Sequence, residues 1–176
     1  QEIDRMLAPM LESARLFNRR FGTTAVVAGV AGAYDYETEL RRRDNAGITI
    51  QYDNSRSVIA DSDLVVTASG TATLETGIIG RPMVIVYKTG WITYQIARRL
   101  VKLDTIGLAN LVLGEKVVPE LIQNQASPEN ISAELANYRD HQERYLTVRE
   151  KLLTIPQRLG GIGASDRAAE LIGRYL

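Results

Sequence analysis

The stretch TASGTATLETGIIGRPMVIV, Thr67 to Val86, puts five small residues, Ser69 to Thr73, where a strand pattern gives way to a helix pattern. If Ser69 caps that helix, the N–H groups around Gly70, Thr71 and Ala72 point outward together with the positive end of the helix dipole. That is the chemistry of a diphosphate site. Gly70 removes the side chain that would hold a phosphate away from the backbone. Glu75 lies one turn further on, on the face shared with Thr71, where its carboxylate can accept two hydrogen bonds from a ribose diol. A plainly capped helix with a dipole-compatible acid explains the same residues, and this is not the stricter Walker pattern.

Other candidates offer less. In WITYQIARRLVKL, Gln95, Arg98, Arg99 and Lys102 share one side of a helix whose other side is apolar. This is either a surface that meets phosphate or an anionic membrane, or an ordinary surface helix. Asn110 sits among apolar residues in GLANLVLG, so its amide needs partners if buried; it reads a ligand or ties a loop. Glu120 and Gln123, at helical spacing in PELIQ, carry the same two readings. Arg41–Asp44 reads as a solvated helix end, and the sole His, His141, as an exposed helix position. That His has no context for a Ser–His–Asp triad.

The elements that must position these residues alternate. A first helix holds Ile3, Met6, Leu7, Met10, Leu11 and Leu16 near helical spacing, with no cap before it, which reads as a fragment of something longer. Thr23–Gly32 reads as a strand buried on both faces, followed by a charged helix over about residues 34–45 and the strand GITIQY. A short helix capped near Asp53 or Asn54, the strand DLVVTA, the helix after Ser69 and the strand RPMVIVY come next. Strands alternating with helices predict one parallel sheet with helices on both faces, an α/β, Rossmann-like arrangement. Shorter elements follow, then a helix opening at Ser127-Pro128, a long polar helix over about residues 138–154 and a last helix capped at a Ser or Asp. Residues 1–176 thus read as one domain with a helical C-terminal tail over 138–176.

Composition limits the functions open to such a domain. The 176 residues carry 21 Lys+Arg and 21 Asp+Glu, so no global field draws in nucleic acid and any phosphate site must be local. There is no Cys and one His, which leaves thiolate chemistry out and makes a zinc site unexpected. No apolar run reaches membrane-spanning length.

Taken in order, ASGTATLE, GRPMVIVYK, TYQIARRLVK, ANLVLGEKVVPELIQ and ASPENI resemble the lipid-A-disaccharide synthase family. The resemblance runs in register from the first helix to about Ile131. It implies the C-terminal, nucleotide-sugar-binding half of an inverting glycosyltransferase of the two-Rossmann-domain B-type fold, with the N-terminal acceptor domain and its general base absent. The family joins UDP-2,3-diacylglucosamine to 2,3-diacylglucosamine 1-phosphate (lipid X), giving lipid A disaccharide 1-phosphate and UDP. It works at the cytoplasmic face of the Gram-negative inner membrane, without a metal or other cofactor. By this resemblance Ser69, Gly70 and Thr71 hold the diphosphate and Glu75 the ribose. Asn110, Glu120 and Gln123 complete the nucleotide side, and Arg98, Arg99 and Lys102 face lipid phosphates or the anionic membrane surface. It also points to a homodimer with exchanged C-terminal segments, and to a fragment inactive alone. The family's Gly-Ser-Arg loop, just before the first helix, is not in this sequence. The alternatives are another UDP-sugar enzyme, such as a UDP-N-acetylglucosamine 2-epimerase, or a nucleotide-binding or oligomerising module without activity.

Overall fold

The computed structural model describes residues 2–42, 47–90, 105–160 and 163–173. Five short parallel strands alternate with helices, as the apolar runs predict, but among the described residues they form two sheets rather than one.

Helix α1 (Glu2–Phe21) leads into β1 (Ala25–Gly29), α2 (Tyr36–Arg41) and β2 (Ile48–Tyr52). β1 and β2 pair in parallel with Ala25 opposite Ile48 and Gly29 opposite Tyr52. Then come α3 (Ser55–Asp61), β3 (Val65–Ala68), α4 (Thr71–Ile79) and β4 (Met83–Tyr87). After α5 (Leu108–Leu113), β5 (Glu120–Ile122) completes a second sheet in the order β3-β4-β5. A single 3-10 turn (Gln123–Gln125) and helices α6 (Pro128–Asp140), α7 (Gln142–Leu152), α8 (Ile155–Arg158) and α9 (Ala164–Gly173) follow.

The core sits on the second sheet. Met83, Val84, Ile85 and Val86 are at most 1% exposed. They lie between α6, which also packs along α1, and the layer of α4 and α5. Leu152 and Ile155 close the core from α7 and α8, both fully buried. Tyr138 of α6 is buried too, and its hydroxyl donates to the Met83 carbonyl at 3.2 Å. Burial raises the Tyr138 phenol well above its ordinary pKa.

Several expectations need correction. β1 is shorter than Thr23–Gly32 and is not covered on both faces: Val26 is 40% exposed and Val30, beyond its end, 58%. α2 ends at Arg41, and Arg41 and Arg42 are exposed, while residues 43–46 lie outside the described residues. The polar helix over 138–154 is two helices that meet at His141, whose backbone leaves the helical region at φ −125° and ψ 84°. His141 is exposed, with its Nδ1 3.0 Å from the Asn137 carbonyl oxygen. α9 starts at Ala164, so Ser165 falls inside the helix rather than capping it. Ser127 does cap α6, accepting from the Asn130 N–H at 3.2 Å, with Pro128 at the first position.

Candidate nucleotide site

β3 ends at Ala68 and the chain turns into α4 within two residues, at the carboxyl edge of a parallel sheet, the edge at which such sheets take ligands. The turn is not built as the sequence suggests. Ser69 does not cap α4. Its N–H extends the ladder to the Val86 carbonyl at 3.1 Å, and its hydroxyl donates to the Ile106 carbonyl at 2.9 Å. Gly70 is the N-cap, at φ 142° and ψ −161°. A side chain rarely adopts that backbone conformation, so glycine is required by the turn itself. A Cβ at Gly70 would meet no atom within 4 Å, so the space above the turn is open.

Among the described residues no side chain caps α4, and no acidic residue stands in its first turn. Thr73 turns inward, its hydroxyl and N–H both donating to the Gly70 carbonyl, at 2.7 and 3.1 Å. Thr71 and Ala72, by contrast, are exposed at the helix start. An uncapped helix end beside open space offers N–H donors and a positive dipole to an anion. Glu75, partly exposed, stands one turn along and forms an ion pair with Arg56 at 3.5 Å. Arg56 is 82% exposed, so the pair is a weak surface contact that a competing hydroxyl pair can displace.

The neighbouring wall is a loop, residues 105–107, and it is held from below by Glu120. Glu120 lies on β5, and Gln123 starts the 3-10 turn after it, so the two are not on a helix as their spacing suggests. The Glu120 carboxylate accepts from the Thr105 hydroxyl, the Ile106 N–H at 2.8 Å, the Gly107 N–H at 2.9 Å and the Asn110 amide at 2.8 Å. Burial pushes its pKa up, but these four donors outweigh burial and leave it below the ordinary value. Asn110, fully buried, spends its other groups on the 117–118 backbone: its oxygen accepts from both N–H groups and its amide donates to the Val118 carbonyl. A Cβ on Gly107 would come within 2.3 Å of Ile85 Cδ1 and 3.0 Å of the Glu120 carboxylate, so the loop can lie this close only without a side chain there.

Two candidate residues therefore act on a third. Glu120 fixes the Ile106 N–H, and the Ile106 carbonyl fixes Ser69 at the start of α4. Gln123 braces the other flank: its amide accepts from the Thr89 N–H at 3.3 Å and donates to the Thr89 carbonyl at 3.2 Å. Thr105, Ile106 and Gly107 belong to this wall and escape a reading by residue chemistry. The one available signal is Gly107, a glycine shortly before a buried Asn. Arg98, Arg99 and Lys102 fall outside the described residues.

The sequence compares closely with one family. A family model for lipid-A-disaccharide synthetase matches residues 1–166. The lipid-A-disaccharide synthase of Geobacter sulfurreducens is 36% identical over 173 residues, covering 97% of this chain and 45% of the relative. That of Trichlorobacter lovleyi is 38% identical over 173 residues, with the same coverage. That of Nitrosococcus oceani is 44% identical over 119 residues, 68% of this chain and 30% of the relative. The chain thus spans about half the length of the relatives that it matches over nearly all of its own residues. The match runs from α1 through the Gly70 turn and the Glu120 wall into the C-terminal helices, and the chain belongs to the lipid-A-disaccharide synthetase family.

Proposed function

We propose that this chain is the UDP-binding, C-terminal half of an inverting glycosyltransferase. The enzyme would join UDP-2,3-diacylglucosamine to 2,3-diacylglucosamine 1-phosphate, lipid X, releasing UDP and lipid A disaccharide 1-phosphate. The observation that carries this reading is the start of α4, where Gly70 leaves an uncapped helix end open at the carboxyl edge of a parallel sheet.

The chemistry follows from that helix end. When the sugar leaves, negative charge grows on the diphosphate of departing UDP. The N–H groups at Thr71 and Ala72, with the α4 dipole behind them, stabilise that charge more than the ground state. Ser69 and Gly70 hold the turn in place, and Glu75 exchanges its exposed Arg56 partner for the ribose diol. Asn110, Glu120 and Gln123 act from beneath, setting the loops that flank the nucleotide. No residue here is assigned as the base that activates the acceptor hydroxyl; that role goes to the N-terminal half, so the 176-residue chain binds UDP and does not transfer sugar.

The same reading places the intact enzyme at the cytoplasmic face of a Gram-negative inner membrane, with Arg98, Arg99 and Lys102 toward lipid phosphates, no metal or other cofactor and a segment-exchanged homodimer. None of the described helices is long and apolar enough to cross a membrane. Calorimetric titration with UDP, ADP and CDP tests the site: UDP should bind most tightly. Equal affinity for all three, or none for any, would contradict the proposal.

A further inference from the structure

A nucleoside diphosphate brings several negative charges to the start of α4, and a helix end sets roughly half a positive charge against them. Such a ligand calls for a cation as well as N–H groups. Arg56 is committed to Glu75 and is largely exposed. Lys88 is placed differently. It is half-buried, and among the described residues its ammonium has no hydrogen-bond or ion-pair partner. The two carboxylates of the site are already taken, Glu75 by Arg56 and Glu120 by its four donors.

The sheet sets the position of this lysine. β3 and β4 pair with Ala68 opposite Val86, and the Ser69 N–H still bonds to the Val86 carbonyl at 3.1 Å. The two chains therefore leave the carboxyl edge side by side, one into Gly70 and the other into Lys88, which follows the last residue of β4. The residue after Lys88 is fixed on both of its backbone groups. Gln123 clasps the Thr89 N–H and carbonyl with one amide, and it does so from φ 53°, a left-handed conformation uncommon outside glycine. Strain of this kind persists only where the surroundings over-determine it, and it clusters at ligand sites. Here it fixes the backbone beside Lys88.

We infer that Lys88 is a phosphate-binding residue of this site, its ammonium meeting the diphosphate that the α4 N–H groups hold. The inference rests on the nucleotide reading and adds to it the side chain that balances the ligand's charge. A lysine suits the task, because its four-carbon stem carries a compact point charge that can follow the phosphate. The ammonium keeps its proton throughout. As the sugar leaves and charge grows on the diphosphate, a cation already in place stabilises that charge without rearranging.

The test titrates the full-length protein with UDP, by calorimetry, and with uridine, by ligand-detected magnetic resonance. Uridine has the same base and ribose and no phosphate. Lys88→Met keeps most of the stem and removes the charge. It should weaken UDP binding by about 10- to 100-fold, the value of a hydrogen bond to a charged group, and leave uridine within about two-fold. Lys88→Arg, which restores the charge, should recover most of the UDP affinity. Thermal unfolding of Lys88→Met should match that of the parent. A parent that does not bind UDP removes the nucleotide reading and this one with it. If the parent binds UDP and Lys88→Met binds it equally well, this inference alone is overturned. Equal losses for UDP and uridine, or an arginine variant as weak as the methionine one, would overturn it too, because the side chain would then act by its shape.

Discussion

β1 and β4 are five-residue strands of similar make-up, AVVAG and MVIVY, and their fates differ. Four residues of β4 are at most 1% exposed, whereas burial along β1 alternates and Val26 stays 40% exposed. Both strands have parallel partners, but among the described residues β4 has one on each edge and β1 has only β2. An apolar run therefore reports what a strand is suited to lie against, and the neighbour on its second edge is a separate matter. The candidate site straddles that contrast. Its rigid wall, Glu120 with the 105–107 loop, hangs from the well-packed sheet, while Glu75 lines the cavity between the two sheets.

The comparison predicts that damage to the β3–β4–β5 half is far more costly than damage to β1. The largest effect belongs to Glu120→Ala, which strips the acceptor from four donors beneath the Gly70 turn. With each unsatisfied buried group costing about 1–3 kcal/mol, denaturant unfolding should show a loss of roughly 3 kcal/mol or more. A loss below about 1 kcal/mol would mean that the wall is not held by this carboxylate.

The same group gives a pH signature. Its folded pKa lies below its unfolded value, so the stability it contributes is fully present above about pH 4.5 and is lost as pH falls through the folded pKa. Glu120→Gln, unable to ionise, should lose less stability than the parent chain between neutral pH and acid. Parallel acid unfolding curves for the two chains would show that the charge is not what the loop depends on.

Gly107→Ala should follow in size. Its methyl group would overlap Ile85 in a fully buried strand, an overpacking cost of about 1–3 kcal/mol that thermal unfolding would register. At the small end stands Val26→Thr, isosteric and on the exposed strand. In this 176-residue chain it should change stability by less than about 0.5 kcal/mol, and a larger loss would show that β1 is better covered than its exposure implies.

How much of this was legible in sequence depends on the range of the interaction. The strand–helix alternation, the Ser127-Pro128 helix start and the Gly70 turn follow from local spacing and local backbone chemistry, and the fold class follows with them. The partners of Asn110 and Glu120 do not. A buried amide announces that it needs partners, but the 105–107 and 117–118 backbones that supply them are brought close only by the packing of α5 on the sheet. Ser69 shows the same limit: its type suits a helix cap, yet a carbonyl 37 residues away takes its hydroxyl. The break at His141 was hidden because residues on both sides suit helices. The split sheet was hidden because a strand's hydrophobicity does not say which edge is paired.

Whether the open start of α4 and Glu75 together hold UDP is decided by comparing the UDP affinity of the parent chain with that of Glu75→Ala by calorimetry. If the carboxylate accepts the ribose hydroxyls, affinity should fall by roughly 1–3 kcal/mol, the range for hydrogen bonds to a charged group, while unfolding stability changes little because only an exposed Arg56 pair is lost. Unchanged UDP affinity in a folded Glu75→Ala chain would mean that Glu75 does not hold the ribose.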